Sequence, residues 1–231
     1  MNAIASRPFE PFSSRRALIS MRIPARWFAA AFGLGLTWGA GTQAADFELT
    51  PAEMQRIEKH EVVIRAALDP GERRGTVRAA MLIDAPPDVV FQSMTSCADA
   101  VQYVPHLRVC RVRDRSADLS WEVVEHEIDF GWYAPRVHYV FRADLVTDHS
   151  ITFHQVSGDF KANQGIWEFE PAGGGARTLL RYRVYMDPPA YVPNWLARST
   201  FRRELPKMLK DIRRHCEAEQ VLRAQANSSP R

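Results

Sequence analysis

The chain lacks the short motifs on which most recognisable catalytic sites are built. It contains no H-E-x-x-H metal motif, no G-x-S-x-G nucleophile motif, no glycine-rich phosphate loop and no carboxylates paired at a useful spacing. It has three cysteines, whose spacing does not fit a zinc site. The sequence therefore predicts no catalytic residue, no metal site and no cofactor.

A strongly basic body is also missing. The formal charge is +3, but residues 1–44 contain five arginines against Glu10 alone, so the remainder carries −1. Domains that bind nucleic acid usually show a clear basic footprint. Nucleic acid is therefore not an expected partner.

The apolar run at residues 27–38 has only twelve residues, which is too short to cross a bilayer comfortably. It follows Arg22 and Arg26 and precedes small residues that end at Ala44. This pattern is typical of a secretory signal peptide. We expect export to the periplasm with cleavage near Ala44, and an uncleaved membrane anchor is the alternative.

Export bears on the cysteines. In an oxidising compartment Cys97 and Cys110 could pair and close a short loop between a helix and the next strand. Two buried free thiols are the alternative. Cys216 would remain unpaired in the last helix.

The most informative feature present is the segment from Met81 to Met94. A strand-like stretch ends at Asp84, and the pair Pro86 and Pro87 follows at once. Proline fixes φ and disfavours helix in the residue before it, and it suits a first helical turn. The segment predicts a strand, a sharp corner and a short helix.

Eight strand-like runs occur in all, and no helix separates the last six. They cover residues 61–68, 76–84, 107–114, 119–129, 137–145, 150–156, 161–170 and 177–186. A helix with an apolar stripe follows from about Val192 to Arg223, and Pro206 should kink or divide it. This order predicts an α+β fold in which a curved antiparallel sheet wraps around a long C-terminal helix.

Three segments, Ile83–Phe91, Tyr103–Leu107 and Gly165–Phe169, resemble signatures of the START-like (SRPBCC) superfamily, in its polyketide cyclase/dehydrase and coenzyme Q-binding branch. The resemblance implies a helix-grip fold whose cavity, between sheet and C-terminal helix, takes lipids, isoprenoid quinones or polyketides. We accordingly divide the chain into four parts. These are a signal peptide (1–44), an N-terminal extension of a short helix plus a strand (45–75), the START-like domain (76–217) and a polar tail (218–231).

Bulky inward side chains are the expected lining of such a cavity. Strand alternation and the start of the last helix select ten candidates, each of which could instead simply pack the core. They are Trp121, Tyr139, Phe141, Phe153, Trp167, Tyr182, Val184, Trp195, Phe201 and Leu205. The strand histidines, His126 among them, are expected on the polar outer face.

Three functions stay open. The first is an exported protein that holds a lipid, quinone or isoprenoid-like molecule, with transient membrane contact through the basic last helix. The second is a cyclase/dehydrase-type enzyme acting on a polyketide-like substrate, which requires an ionisable group inside the cavity. The third is a cell-envelope assembly module with a filled core.

Overall fold

The computed structural model describes residues 47–68, 74–132 and 134–228. The predicted signal peptide and its cleavage near Ala44 lie outside these residues. Among the described residues, no helix combines the length and the apolar character needed to span a membrane.

Eight strands form one antiparallel, curved sheet in the order β1-β2-β8-β7-β6-β5-β4-β3. The strands are β1 (Val63–Leu68), β2 (Gly75–Ile83), β3 (Leu107–Arg115), β4 (Trp121–Ile128), β5 (Val137–Val146), β6 (Ser150–Gly158), β7 (Ala162–Ala172) and β8 (Arg177–Asp187). The helices are α1 (Pro51–Glu58), α2 (Pro87–Thr95), α3 (Cys97–Tyr103), α4 (Asn194–Ser199) and α5 (Leu205–Ser228), with a 3₁₀ turn at Gly173–Gly175. The predicted helix-grip fold is confirmed.

The proline corner forms where the sequence predicts it. β2 ends at Ile83 and α2 begins at Pro87. Because Pro86 has an extended backbone, its carbonyl can accept the first helical hydrogen bonds, from the N–H groups of Val89 and Val90 at 3.1 and 3.2 Å. The corner turns α2 directly onto the sheet.

The N-terminal extension adds a strand and a helix to the domain. β1 pairs with β2 from Val63 opposite Ala80 to Leu68 opposite Gly75. A smaller apolar core forms here, separate from the main one. Its buried members are Phe47, Ile57, Val63, Ala80, Leu82 and Leu179.

The terminal helix consists of three consecutive segments, α4, a π segment (Thr200–Glu204) and α5. The Leu205 N–H donates to the Thr200 carbonyl, five residues back. Pro206, the next residue, has no N–H to donate, and the wider π turn accommodates this loss without ending the helix.

The helix also continues to Ser228, through most of the segment that the sequence assigns to a polar tail. Residues 218–228 include several strong helix formers, alanine, leucine, glutamate and arginine among them. Arg223 also donates to Gln92 on α2 at 2.6 Å and lies 3.5 Å from the Asp88 carboxylate. These contacts hold the end of α5 against α2.

Candidate functional site

A cavity of about 270 Å³ lies between the sheet, α3, the π segment and the start of α5. Its walls are largely apolar and aromatic, because β4 to β8 turn alternate side chains towards α5. Seven of the ten predicted residues line it: Tyr139, Phe141, Phe153, Trp167, Tyr182, Phe201 and Leu205. The aromatic wall includes the stacked rings of Trp167 and Tyr182, 3.6 Å apart.

The other three predicted residues do not line the cavity. Val184 is fully buried in the adjoining core. Trp121 faces the opposite side of the sheet, where the Arg142 guanidinium lies 4.5 Å from its ring centre, because its neighbour Glu122 takes the inward position. Trp195 is 59% exposed on α4, which turns its ring to the surface.

The expectation for His126 is wrong, because this side chain lies inside the cavity. On β4 the even-numbered residues face inward, namely Glu122, Val124, His126 and Ile128. The acidic residues Glu125 and Glu127 on the outer face could have predicted this orientation. Two acids alternating with Val124 and Ile128 indicate which face is buried, and His126 belongs to that face.

His126 and Tyr139 form a hydrogen-bonded pair, with 3.0 Å between Nδ1 and the hydroxyl oxygen. Strand pairing sets them directly opposite each other. Burial lowers the pKa of His126 to about 4, and burial also raises the pKa of Tyr139. Both groups are therefore neutral at pH 7.

A neutral pair of this kind retains one hydrogen for a ligand. The imidazole and the phenol together carry two polar hydrogens, and their mutual bond uses one. The other lies either on His126 Nε2 or on the Tyr139 oxygen, and both residues line the cavity. The pair can thus donate a hydrogen bond to an oxygen of a bound molecule.

Further polar side chains reach the same cavity. Burial raises the pKa of the Glu122 carboxyl, an effect that Arg115 partly counteracts. Asn163 and Tyr182 line the wall formed by β7 and β8. His106 and Glu204 also line it, with 3.9 Å between Nε2 and Oε2, and they link the start of β3 to the π segment.

The cavity wall also contains a disulfide bond. Cys97 at the start of α3 is bonded to Cys110 on β3, with their Cα atoms 5.2 Å apart. Cys110 lies opposite His126 in the sheet register, so the bond ties α3 to the wall beside the histidine. Cys216 is free and buried on α5, and burial raises the pKa of its thiol to about 12.

Away from the cavity, the described residues contain one group with ligand atoms close enough to hold a metal ion, His60, Asp84 and Glu217, all within 4.8 Å. The Arg213 guanidinium interacts with both carboxylates and donates to the His60 carbonyl at 2.6 Å. Since this cation already partly neutralises the acids, the group is better explained as an ion-pair network that joins α1, β2 and α5.

The fold and the cavity define a START-like protein. Residues 83–213, more than half of the chain, match the family described as "Polyketide cyclase / dehydrase and lipid transport". The chain belongs to this family. Comparison with curated protein sequences finds no match.

Solved structures of the same fold share little sequence with the chain. A STAR-related lipid transfer protein from Xanthomonas axonopodis is 16% identical, with 67% of this chain and 93% of that chain covered and a TM-score of 0.55. The Zhui aromatase/cyclase from Streptomyces sp. R1128 is 14% identical, with 73% and 100% covered and a TM-score of 0.53. Human STARD10 is 12% identical, with 73% and 78% covered and a TM-score of 0.56.

Proposed function

We propose that the chain binds a hydrophobic small molecule, a lipid, quinone or isoprenoid-like compound, in the cavity under its C-terminal helix. The observation that carries the proposal is the cavity itself, hollow, walled by aromatic rings and about 270 Å³ in volume. Ligand pockets usually measure about 300–1,000 Å³, so this one suits a ring system or a single short chain better than a whole two-chain lipid. A cell-envelope assembly module with a filled core would not contain such a cavity.

The test is native mass spectrometry of protein purified without detergent, followed by solvent extraction. The variant Ala143→Phe places a ring in the cavity from β5, and Val146→Phe places the same ring at an exposed position on that strand. We expect wild type and V146F to carry a near-stoichiometric ligand and A143F to be empty. A wild-type protein that is empty and takes up neither a fluorescent fatty acid nor a naphthol would refute the proposal.

A second function is favoured by the His126–Tyr139 pair. A cyclase/dehydrase-type enzyme acting on a polyketide-like substrate needs groups that move protons inside the pocket, and this pair is one. His126→Gln keeps a hydrogen-bonding side chain but removes the imidazole base. If incubation with wild type lowers the mass of the ligand by one water and incubation with H126Q does not change it, the protein is an enzyme. A ligand that leaves both proteins unaltered supports a carrier.

We also propose that the protein is exported to the periplasm. The arginines and the short apolar run before Ala44 support this, and so does the Cys97–Cys110 bond, because such bonds persist in oxidising compartments. The intact mass of the cell-fractionated protein, measured without reductant, tests it. We expect loss of residues 1–44 and a mass two hydrogens below that of the reduced chain. A full-length, fully reduced protein in the cytoplasm would contradict the proposal.

Transient contact with an anionic membrane surface would help such a protein exchange its ligand. Trp132 is 97% exposed in the β4–β5 connection, and Trp195 is exposed on α4. The Tyr191 hydroxyl donates to the Arg136 carbonyl at 3.3 Å, which joins these two segments at one end of the molecule. Tryptophan and tyrosine favour the bilayer interface, and nearby arginines favour anionic headgroups. These arginines are Arg198, Arg202 and Arg203.

Cosedimentation with vesicles that contain phosphatidylglycerol tests this contact. We expect binding that falls when Trp132 and Trp195 are replaced by serine. Val221→Ser, an exposed apolar position near the far end of α5, is the matched control and should leave binding unchanged. Equal binding of both variants, or binding to neutral vesicles alone, would exclude this surface.

A further inference from the structure

Asn163 places an amide in the cavity wall. The residue is only 8% exposed, and it lines a cavity that is otherwise largely apolar. Among residues 47–68, 74–132 and 134–228, no group forms a hydrogen bond with its amide. An amide at a largely apolar cavity wall that has no protein partner is available to a bound molecule, since polar groups in the interior are normally hydrogen-bonded.

The neighbouring strands hold further unused hydrogen-bonding capacity. Tyr182 also lines the cavity, and its hydroxyl has no hydrogen-bond partner in the described part of the chain. It lies close enough to Tyr139 that a charge on Tyr139 would further raise the pKa of Tyr182. The pairing of His154 with Gln164 places Gln155 beside Asn163, and Gln155 Oε1 is buried without a donor among the described residues.

The types of these groups indicate what they would recognise. The Asn163 amide offers two donors and an acceptor, the Tyr182 hydroxyl offers a donor, and the His126–Tyr139 pair offers one more. These groups also offer acceptors, namely the oxygens of Asn163 and Tyr182 and, beside them, Gln155 Oε1, so the complementary ligand carries carbonyl oxygens that accept or hydroxyl groups that also donate. A plain hydrocarbon chain would give none of these groups a further partner.

We infer that Asn163 is a specificity-determining residue and that it selects a ring-containing ligand with carbonyl or hydroxyl oxygens over a plain hydrocarbon. The aromatic walls, with the stacked Trp167 and Tyr182, suit a planar ring. The inference rests on the proposed function, since it concerns the same cavity. The inference adds the chemical class of the ligand and the residue that distinguishes it from a plain hydrocarbon.

Three probes of one size test the inference, namely naphthalene, 1-naphthol and 1,4-naphthoquinone, which carry no, one and two oxygens. Their affinities are measured by isothermal titration or by displacement of a fluorescent probe. We expect wild type to bind at least one oxygenated probe ten times or more tightly than naphthalene, because a site with buried unpaired polar groups rejects the analogue that cannot pair them. Asn163→Leu should bind all three with affinities within about threefold of one another.

The matched control is Gln164→Leu, the next residue on β7, which is exposed on the opposite face of the sheet. Q164L should keep the wild-type preference. Tyr182→Phe removes one hydroxyl only and should reduce the preference in part, which keeps the test open if N163L does not fold.

The possible outcomes distinguish a failure of the inference about Asn163 from a failure of the proposed ligand-binding function. Equal wild-type affinities for the three probes, or an N163L preference like that of wild type, would overturn the inference while leaving the carrier proposal standing. A uniform loss of affinity for all three probes in N163L would also overturn it, because the residue would then only shape the cavity. If wild type binds neither these probes nor a fatty acid, the proposed function itself fails.

Discussion

His126 should make the stability of this domain depend on pH in a way that one substitution removes. An unperturbed histidine titrates near pH 6.5. Burial in the cavity lowers the pKa of His126 to about 4. Between these two values the unfolded chain takes up a proton that the folded chain does not, so the folded state loses stability as the pH falls.

The size of the effect follows from the same two values. The contribution of His126 is nearly absent at pH 7, destabilises the fold by about 2 kcal/mol at pH 5 and reaches about 3 kcal/mol at pH 4. His126→Gln cannot titrate and keeps a side chain able to bond to Tyr139. The difference in unfolding free energy between the two proteins should therefore change by about 2 kcal/mol between pH 7 and pH 5.

Urea denaturation at pH 7, 6 and 5 measures this difference, and all other titrating groups cancel in the comparison. His154→Gln replaces an exposed strand histidine and should follow wild type at each pH. If the unfolding free energies of wild type and H126Q differ by the same amount at pH 7, 6 and 5, His126 is hydrated or already protonated in the folded state. The neutral His126–Tyr139 pair would then be wrong, and with it the hydrogen-bond count of the cavity.

Three further changes test other parts of the structure. Replacing Cys97 and Cys110 together by serine should lower the unfolding free energy by about 3 kcal/mol, measured with urea, because the bond closes a loop of 13 residues. Gly165→Ala should lower it by about 1–3 kcal/mol, since a Cβ there would meet a backbone carbonyl at 2.4 Å and the Phe153 ring at 2.8 Å. Pro206→Ala restores a helical N–H and should raise the unfolding free energy by up to about 3 kcal/mol, measured with urea.

Each of these changes has its own contradicting result. Cys216→Ser should not reproduce the loss seen without the disulfide, and reductant should destabilise wild type alone. Adding Phe153→Leu to G165A should restore only part of the stability, because the backbone contact remains. If P206A is no more stable than wild type, the π segment accommodates the missing N–H of Pro206 without loss of stability.

Much of the fold could be predicted because its signals are local. The double proline at residues 86 and 87 leaves only one conformation on each side, and the corner forms as expected. Clean alternation on β5 and β8 predicts which residues face the helix, and Tyr139, Phe141 and Tyr182 line the cavity. Alternation is local information, and a strand carries it in its own residues.

The contents of the cavity were harder to predict because they depend on residue pairs that are distant in sequence. β4 has polar residues on both faces and alternates poorly, so His126 was expected at the surface. Trp121 on the same strand was predicted to face the cavity because it is large and aromatic, but it faces outward beneath Arg142. The pairing of β4 with β5 sets His126 opposite Tyr139 and so fixes its position in the cavity wall.

The presence of the cavity cannot be predicted from any single residue. The same aromatic side chains fill a core or surround a cavity according to how closely α5 approaches the sheet. Phe201, within the π segment, and Leu205, directly after it, stand between this part of the helix and the sheet and line the cavity. A residue such as Asn163 carries the missing information, because a polar side chain on a buried strand face is unfavourable in a filled core but useful beside a ligand. When a sequence of this fold is interpreted, an amide or imidazole on the inward face is therefore better evidence for a binding cavity than the aromatic residues around it.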